Sequence, residues 1–369
     1  MKPLSEFCCI NPNCPEHGNR DGKNLRVHQM YGKSDTIRLL ECKVCGLKFS
    51  ERAHTALSGC RLPKDKIISV LHHLAEGCGQ RRICRLVGVS RDVVRRLTLI
   101  AGDHAKVLHD ELVNGVSVNE AQADEKWNFV GKKEGVCLNE EKEEQGDQWD
   151  HVVIDSESKA VISMVIGKRT KENTEELISD FSHRVNEGKP PRLFTADDYP
   201  CYKDALLSIY GKWVVPEPTG KRGRPRRPYQ TIPDMQYATV KKHRKCGHVV
   251  SIETEQVYGI NDELRVILEC SSVSNRVNVS FVERQNGTDR HLNSRKARKS
   301  LEFSKDNDYH KCHSWFCVTY YNFCWDHRSL RIGIKVNEYI HRSPMLALGV
   351  TQHIWSVKEM VTYQTIADH

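Results

Sequence analysis

Three acids far apart in the chain could share one chemical task. Asp124 lies in a strand-like segment, Asp197 ends the run Arg192-Leu193-Phe194-Thr195-Ala196, and Glu283 falls in the helix-like stretch 278–290. An aspartate on a buried strand is costly unless a cation or hydrogen-bond donors compensate it. Magnesium would supply that compensation, because two ions held by a few carboxylates can activate water or a 3′-hydroxyl and stabilise the leaving oxygen in phosphodiester transfer. Asn286 and Arg290 follow Glu283 by three and seven positions, on the same helix face, where they could hold substrate phosphates. Taken singly, each acid also reads as a surface or capping residue.

A second constellation is built from sulfur. Cys9 and Cys14, then Cys42 and Cys45, make two thiolate pairs suited to a tetrahedral zinc ion. Gly46 lets the backbone turn in the knuckle after the second pair, and residues 37–40 read as a short strand before it. Cys8 and His17 are rival ligands, and buried free thiols are the plain alternative. A zinc ribbon over residues 1–58 has little core and would depend on its metal to fold.

The basic residues are grouped as well. Residues 64–76 carry Ile67, Leu71 and Leu74 at helical spacing, with Gly77 as a stop. A short helix over 80–86 follows, and Ser90 caps a third that begins at Arg91. This reads as a helix-turn-helix domain over 59–112, in which Arg91, Arg95 and Arg96 could meet bases or phosphates in a major groove. A three-helix bundle with a solvated basic face is the rival reading. Further on, Arg222, Arg224 and Arg226 lie in Lys221-Arg222-Gly223-Arg224-Pro225-Arg226-Arg227-Pro228, whose Arg-Gly-Arg-Pro core resembles an AT-hook, an extended minor-groove binder. A flexible basic linker fits equally. Arg295 and Lys296 open a basic patch after the proposed catalytic helix, near the expected DNA path or simply at a solvated helix end.

The elements that must position the acids can be read in outline. Residues 116–130 form a strand candidate, 149–166 a hairpin, 171–186 a helix, 192–197 a strand, 200–209 a short helix and 212–215 a strand. The acidic run at 139–147 reads as a solvated loop. A meander followed by alternating helix and strand implies an α/β fold, a mixed sheet covered by helices. The catalytic domain is expected over 113–335, with an insertion at about 217–272 that has strands of its own, including 249–252, and a C-terminal tail over 336–369. No internal repeat is visible.

Composition sets the outer bounds. The chain has 369 residues and a formal charge of +8, enough for two or three domains and a surface that leans toward polyanions. Fifteen cysteines would suit a secreted disulfide protein, but the opening Met-Lys-Pro-Leu-Ser-Glu is no signal peptide, so the reducing cytosol is expected. No stretch reaches the roughly 18 to 20 apolar residues that span a bilayer, and no membrane partner is expected.

The segments 123–133 around Asp124, 195–202 around Asp197 and 280–286 around Glu283 resemble the three acidic motifs of DDE transposases, most closely the bacterial insertion-sequence-one type. The resemblance extends to residues 42–50, the helix-turn-helix, Tyr321-Asn322-Phe323-Cys324 and Arg328-Ser329-Leu330-Arg331, and so covers nearly the whole chain. It implies a ribonuclease-H-like core preceded by a zinc β-ribbon and a small all-α helix-turn-helix domain. It also implies magnesium or manganese on Asp124, Asp197 and Glu283, and structural zinc. Double-stranded DNA bearing terminal repeats, homo-oligomers assembled on it, and a nucleoid-associated protein of a bacterium or archaeon complete the picture. Asp198 stands where shorter relatives often have glycine and could share or replace the role of Asp197. Two other functions stay open: a DNA-binding regulator that keeps the core without transposing, and a ribonuclease-H-like nuclease without end joining.

Overall fold

The structure, a computed structural model, describes residues 2–33, 36–141, 144–216, 227–335 and 337–367. The arginines Arg222, Arg224 and Arg226 of the AT-hook-like segment lie outside the described residues. Strands β1 (Leu25–Tyr31), β2 (Ile37–Cys42) and β3 (Lys48–Ser50) come first, then helices α1 (Lys64–Ala75), α2 (Gln80–Val87) and α3 (Arg91–Leu112). Next come β4 (Glu120–Val130), β5 (Gly146–Asp155), β6 (Val161–Gly167), α4 (Lys171–Arg184), β7 (Leu193–Asp197) and α5 (Cys201–Tyr210). They are followed by β8 (Lys212–Val214), β9 (Tyr229–Thr231), β10 (Gln236–Lys245), β11 (His248–Tyr258), α6 (Asn261–Cys270) and α7 (Ser280–Leu292). Last are α8 (Asn307–Phe323), β12 (Ile332–Lys335), β13 (Glu338–Ile340), α9 (Pro344–Ala347) and α10 (Val357–Val361). Among the described residues no helix is long and apolar enough to cross a membrane.

Contacts divide the chain into two compact units, the first made of Met1–Leu112, Asp289–Ser343 and Thr351–His369, the second of Val113–Thr288 and Pro344–Val350. Residues 289–335, expected from sequence within the catalytic domain, pack with the N-terminal helices, and so does most of the expected tail. The second unit is built on a mixed α/β sheet of six strands in the order β11-β10-β7-β4-β5-β6. β4, β5 and β6 form an antiparallel meander, β7 and β10 run parallel to β4, and β11 returns antiparallel at one edge. Two strands of the expected insertion are therefore members of this sheet. β8, the strand expected near 212–215, pairs instead with β9 in a separate ribbon.

The meander forms because its strands are apolar on both faces: Val152, Val153, Ile154, Val161 and Ile162 are all essentially inaccessible. α4 starts where Thr170 accepts the backbone N–H of Asn173, and it buries Leu177, Ile178 and Phe181 on one face. Phe194 of β7 is the hub, with its ring 6.2 Å from Phe181, 6.3 Å from Tyr202 and 6.0 Å from Tyr237. Each such side chain stabilises the unit by about 1.5–3 kcal/mol on burial. Inside the sheet, Lys126 Nζ lies 3.1 Å from Asp150 Oδ2 across a direct β4–β5 pair, with both side chains at 1% exposure or less.

In the first unit β1, β2 and β3 make a small antiparallel sheet whose few large apolar side chains, Phe7, Leu25, Leu40 and Phe49, surround the cysteines. The helices follow the expected order. Gly88 takes the left-handed conformation that ends α2 (φ 68°), and Ser90 Oγ accepts Val93 N at 3.3 Å to start α3. α3 is much longer than a recognition helix needs, at 22 residues, because its later turns pack along α8. Gly102 permits that packing, since a Cβ there would lie 2.2 Å from the carbonyl oxygen of Cys312.

Candidate active site

The last paired residues of the parallel strands β4 and β7 are Ala123 and Ala196, so the next residue of each strand is Asp124 and Asp197. Both acids therefore stand at one level of the sheet, where the β7 strand ends, the end at which open α/β sheets bind ligands. Asp124, Glu125 and Asp197 each bring a carboxylate oxygen within 4.8 Å of the others. A magnesium ion with oxygens at about 2.1 Å separates neighbouring ligands by about 3 Å and opposite ones by about 4.2 Å, so this spacing fits a shared ion.

Electrostatics makes the same demand. Burial first, then the charges of Asp197 and Glu283, push the Asp124 carboxyl up to about 6. Burial and the Asp197 charge hold Glu125 at about 7, against the pull of the Tyr202 hydroxyl and Arg169. Asp197 is also raised, mainly by burial, although Arg169 and the Tyr199 backbone N–H, 3.2 Å from Oδ1, draw it down. Crowded carboxyls raised toward neutrality form a site in want of positive charge.

Protein cations supply part of it. Arg169 donates from Nη2 and Nε to Glu125 Oε2 at 3.0 and 3.2 Å, and Nη2 lies 3.7 Å from Asp197 Oδ2. Its guanidinium sits 4.0 Å above the Tyr199 ring and 5.0 Å from that of Trp149, which fixes its plane. Glu283 stands outside the three-acid group: it is exposed and held by Lys242 Nζ at 2.5 Å. Asp198 is exposed and paired with Lys241 at 3.2 Å, turned from the group that Asp197 joins.

Helix α7, which carries Glu283, is tied to β4 by side chains. Gln122 Oε1 accepts the N–H groups of Phe281 and Val282 at 3.0 and 3.1 Å, adding to the local cap in which Asn278 Oδ1 accepts from Ser280 N at 3.0 Å. Its Nε2 donates to the carbonyl of Asn278 at 2.7 Å, which also accepts from Thr195 Oγ1 at 3.0 Å. One turn beyond Glu283, Asn286 donates from Nδ2 to Asp124 Oδ2 at 2.7 Å. Asn286, expected from sequence at substrate phosphates, is thus also a hydrogen-bond partner of Asp124. Its Oδ1 is buried with no hydrogen-bond partner among the described residues, an acceptor that the water shell of a cation would satisfy.

The cysteine cluster lies in the first unit. The four sulfurs of Cys9, Cys14, Cys42 and Cys45 lie within 4.8 Å of one another, with Cys9 to Cys45 at 3.6 Å and Cys14 to Cys42 at 3.9 Å. A tetrahedron with zinc–sulfur bonds of about 2.3 Å has edges of about 3.8 Å, so the spacing suits zinc. Gly46, at φ +71°, closes the knuckle, and the Leu47 backbone N–H above all holds the Cys45 thiol down at about 6. The rivals fall away: the Cys8 sulfur faces Gln364 Oε1 at 3.6 Å, and His17 is not among the clustered side chains.

The expected DNA-contacting residues have differing surroundings. Arg91, Arg95 and Arg96 are exposed at the start of α3, but Arg95 is paired with Asp306 at 3.0 Å. Arg295 donates to the carbonyls of Glu302 and Phe303, each at 3.2 Å, and so braces its own loop. Arg290 is half-buried. The surface role expected of Lys296 does not fit its position: it is buried and paired with Asp289 at 3.0 Å, with side chains at 0% and 2% exposure.

Glu125, Arg169, Gln122 and Lys242 surround the candidate site without having been singled out in the sequence. Only Glu125 carried a signal, its position beside Asp124, which strand alternation argues against.

No known family model matches the chain, and no curated protein does. Among solved structures, the Mos1 transposase paired-end complex with left transposon end is similar at 13% identity, over 40% of this chain and 57% of that one, with a TM-score of 0.17. The Mos1 strand transfer complex is similar at 11% identity, over 71% and 77% of the two chains, with a TM-score of 0.19. The chain spans little more than half the length of the first of these, and likeness at such scores does not establish a common fold.

Proposed function

We propose that this chain is a DDE-type DNA transposase, a polynucleotidyl transferase of the insertion-sequence-one type that cuts and joins DNA strands at the ends of a mobile element. The observation that carries the reading is the meeting of Asp124 and Asp197 where the pairing of the parallel strands β4 and β7 stops, with the Glu283 helix tied to β4 by Gln122 and Asn286. An antiparallel meander continued by two parallel strands is also the arrangement expected of a ribonuclease-H-like core.

Asp124 and Asp197, which lie together, would hold magnesium or manganese, which supplies Lewis acidity for attack on a phosphodiester, and Glu283 would complete the set in exchange for its ion pair with Lys242. Asn286 keeps the Asp124 carboxylate turned toward the site, and Gln122 sets the register of α7 and hence the height of Glu283. Arg169 neutralises Glu125 and steadies Asp197, so the ligand set carries a charge a divalent ion can match. Cys9, Cys14, Cys42 and Cys45 would hold structural zinc. Arg91 and Arg96 at the head of α3 would contact double-stranded DNA, and copies of the chain would assemble on the terminal repeats.

The test is incubation of purified protein with magnesium and DNA carrying the ends that flank its gene. Nicked and joined products, lost in Asp124→Ala while DNA binding persists, support the reading. Nicks without joined products reduce it to a nuclease, and binding without either leaves a DNA-binding regulator.

A further inference from the structure

β10 pairs with β7 only from Gln236 to Val240, whereas its pairing with β11 continues to Lys245 opposite His248. Beyond the sheet the two strands therefore run on as a ribbon of five residues on β10 and six on β11, where the register shifts at Val250, about 17 Å long at 3.4 Å per residue. Its tip, Cys246-Gly247, has φ of 51° and 81°, the two positive values of a tight hairpin turn. Two strands without further packing are marginal in water, so the ribbon does little for the stability of the sheet.

Its chemistry points to a polyanion. From Lys241 to Lys245 the far half of β10 reads Lys-Lys-His-Arg-Lys, and Lys241 and Lys242 at the ribbon's root are the residues paired with Asp198 and Glu283. Arg244 and Lys245 farther out are exposed, and among the described residues neither has an ion pair. Val250 and Ile252, each 61% exposed, lie on the returning strand, with Ile252 directly opposite Lys242. A two-stranded ribbon fits a major groove about 12 Å wide and 8.5 Å deep.

We propose that the β10–β11 ribbon is a second DNA-binding element, which grips the phosphates of a duplex and leads it to the carboxylates at the ribbon's root. The inference rests on the transposase reading for its ligand, yet it is tested by binding alone.

The experiment measures affinity of the full chain for a 40-base-pair duplex of arbitrary sequence, without magnesium, from 50 to 200 mM salt. Arg244→Gln with Lys245→Gln removes two phosphate contacts, so the slope of log affinity against log salt should fall by about 1.8, and the salt-induced loss of affinity should shrink about twelvefold. Far-UV circular dichroism and manganese-induced thermal shift should match wild type. An unchanged slope overturns the proposal, as does a wild type that binds no duplex. Ile252→Glu provides the second arm: a shift from dimer to monomer with duplex affinity intact would overturn it in favour of copy-to-copy pairing. Wild type that binds through the ribbon but never cuts DNA refutes the transposase reading and leaves the ribbon's role standing.

Discussion

Replacing Asp124 by asparagine should strengthen the fold and remove most of its response to divalent ions. The Asp124 carboxyl is raised from 3.8 to about 6, chiefly by burial. At about 1.36 kcal/mol per unit this corresponds to about 3 kcal/mol of native-state destabilisation when the group is ionised, and about 1–3 kcal/mol after discounting for its partial exposure. The sign follows from the raised value. Below pH 3.8 both folded and unfolded states hold the proton and there is no penalty; between pH 3.8 and about 6 the unfolded state releases it first, and above 6 the penalty is complete. Asparagine keeps the acceptor for Asn286 and carries no charge. Apo Asp124→Asn should therefore match wild type near pH 4 and exceed it by about 1–3 kcal/mol at pH 8, which is about 2–12 °C for a unit of this size. The assay is scanning calorimetry in buffer stripped of divalent ions by resin, without a chelator that would attack the cysteine cluster. Manganese at 100 times its dissociation constant should then stabilise wild type by about 2.7 kcal/mol and the variant by less than a third of that. A variant no more stable than wild type at pH 8, with an equal response to manganese, would refute the reasoning.

Other perturbations test separate parts. Cys42→Ser should lower bound zinc from one equivalent toward none and unfold the β1–β3 sheet, since its apolar core is small; a folded ribbon without zinc, seen by circular dichroism and metal analysis, contradicts the site. Gln122→Ala leaves two N–H groups of α7 without their acceptor, at about 1–3 kcal/mol, and should slow strand cleavage at least tenfold with duplex affinity unchanged; equal cleavage rates would count against Gln122 as a positioning residue. Gly102→Ala forces α3 from α8 and should destabilise the first unit by at least 1–3 kcal/mol in urea, an outcome sunk by an unchanged midpoint. Lys126→Met strands the buried Asp150 charge and should destabilise the second unit by about 3–5 kcal/mol; a neutral effect would show that Asp150 is otherwise compensated.

Much of the site was readable in the sequence because its chemistry is local. The Cys42-to-Gly46 knuckle, the Ser90 cap and the apolar runs that end at Asp197 all announce themselves within a few residues. What escaped depends on pairing between distant segments. Glu125 alternates to the face opposite Asp124, so a strand pattern assigns it elsewhere; it joins the cluster because β7 ends at Asp197. β10 falls in the stretch 217–272 that its length between the second and third acids marks as an insertion; it is hard to read as a sheet strand because only its first half, Gln236–Val240, is buried, while its second half is a basic ribbon in water. Lys296 looked like a surface cation because nothing nearby in sequence signals the buried Asp289 pair. α8 gives little amphipathic signal because its Tyr, His and Thr side chains are buried alongside the apolar ones, so its place against α3 is a tertiary fact.

The central claim is that Asp124 and Asp197 hold a divalent ion for work on DNA strands. Crystals soaked in manganese, measured at the metal's absorption edge, test it most directly. An anomalous peak at about 2.0–2.3 Å from oxygens of both aspartates, absent in Asp124→Asn, is the expected result. Ordered carboxylates with no peak at saturating manganese would contradict it.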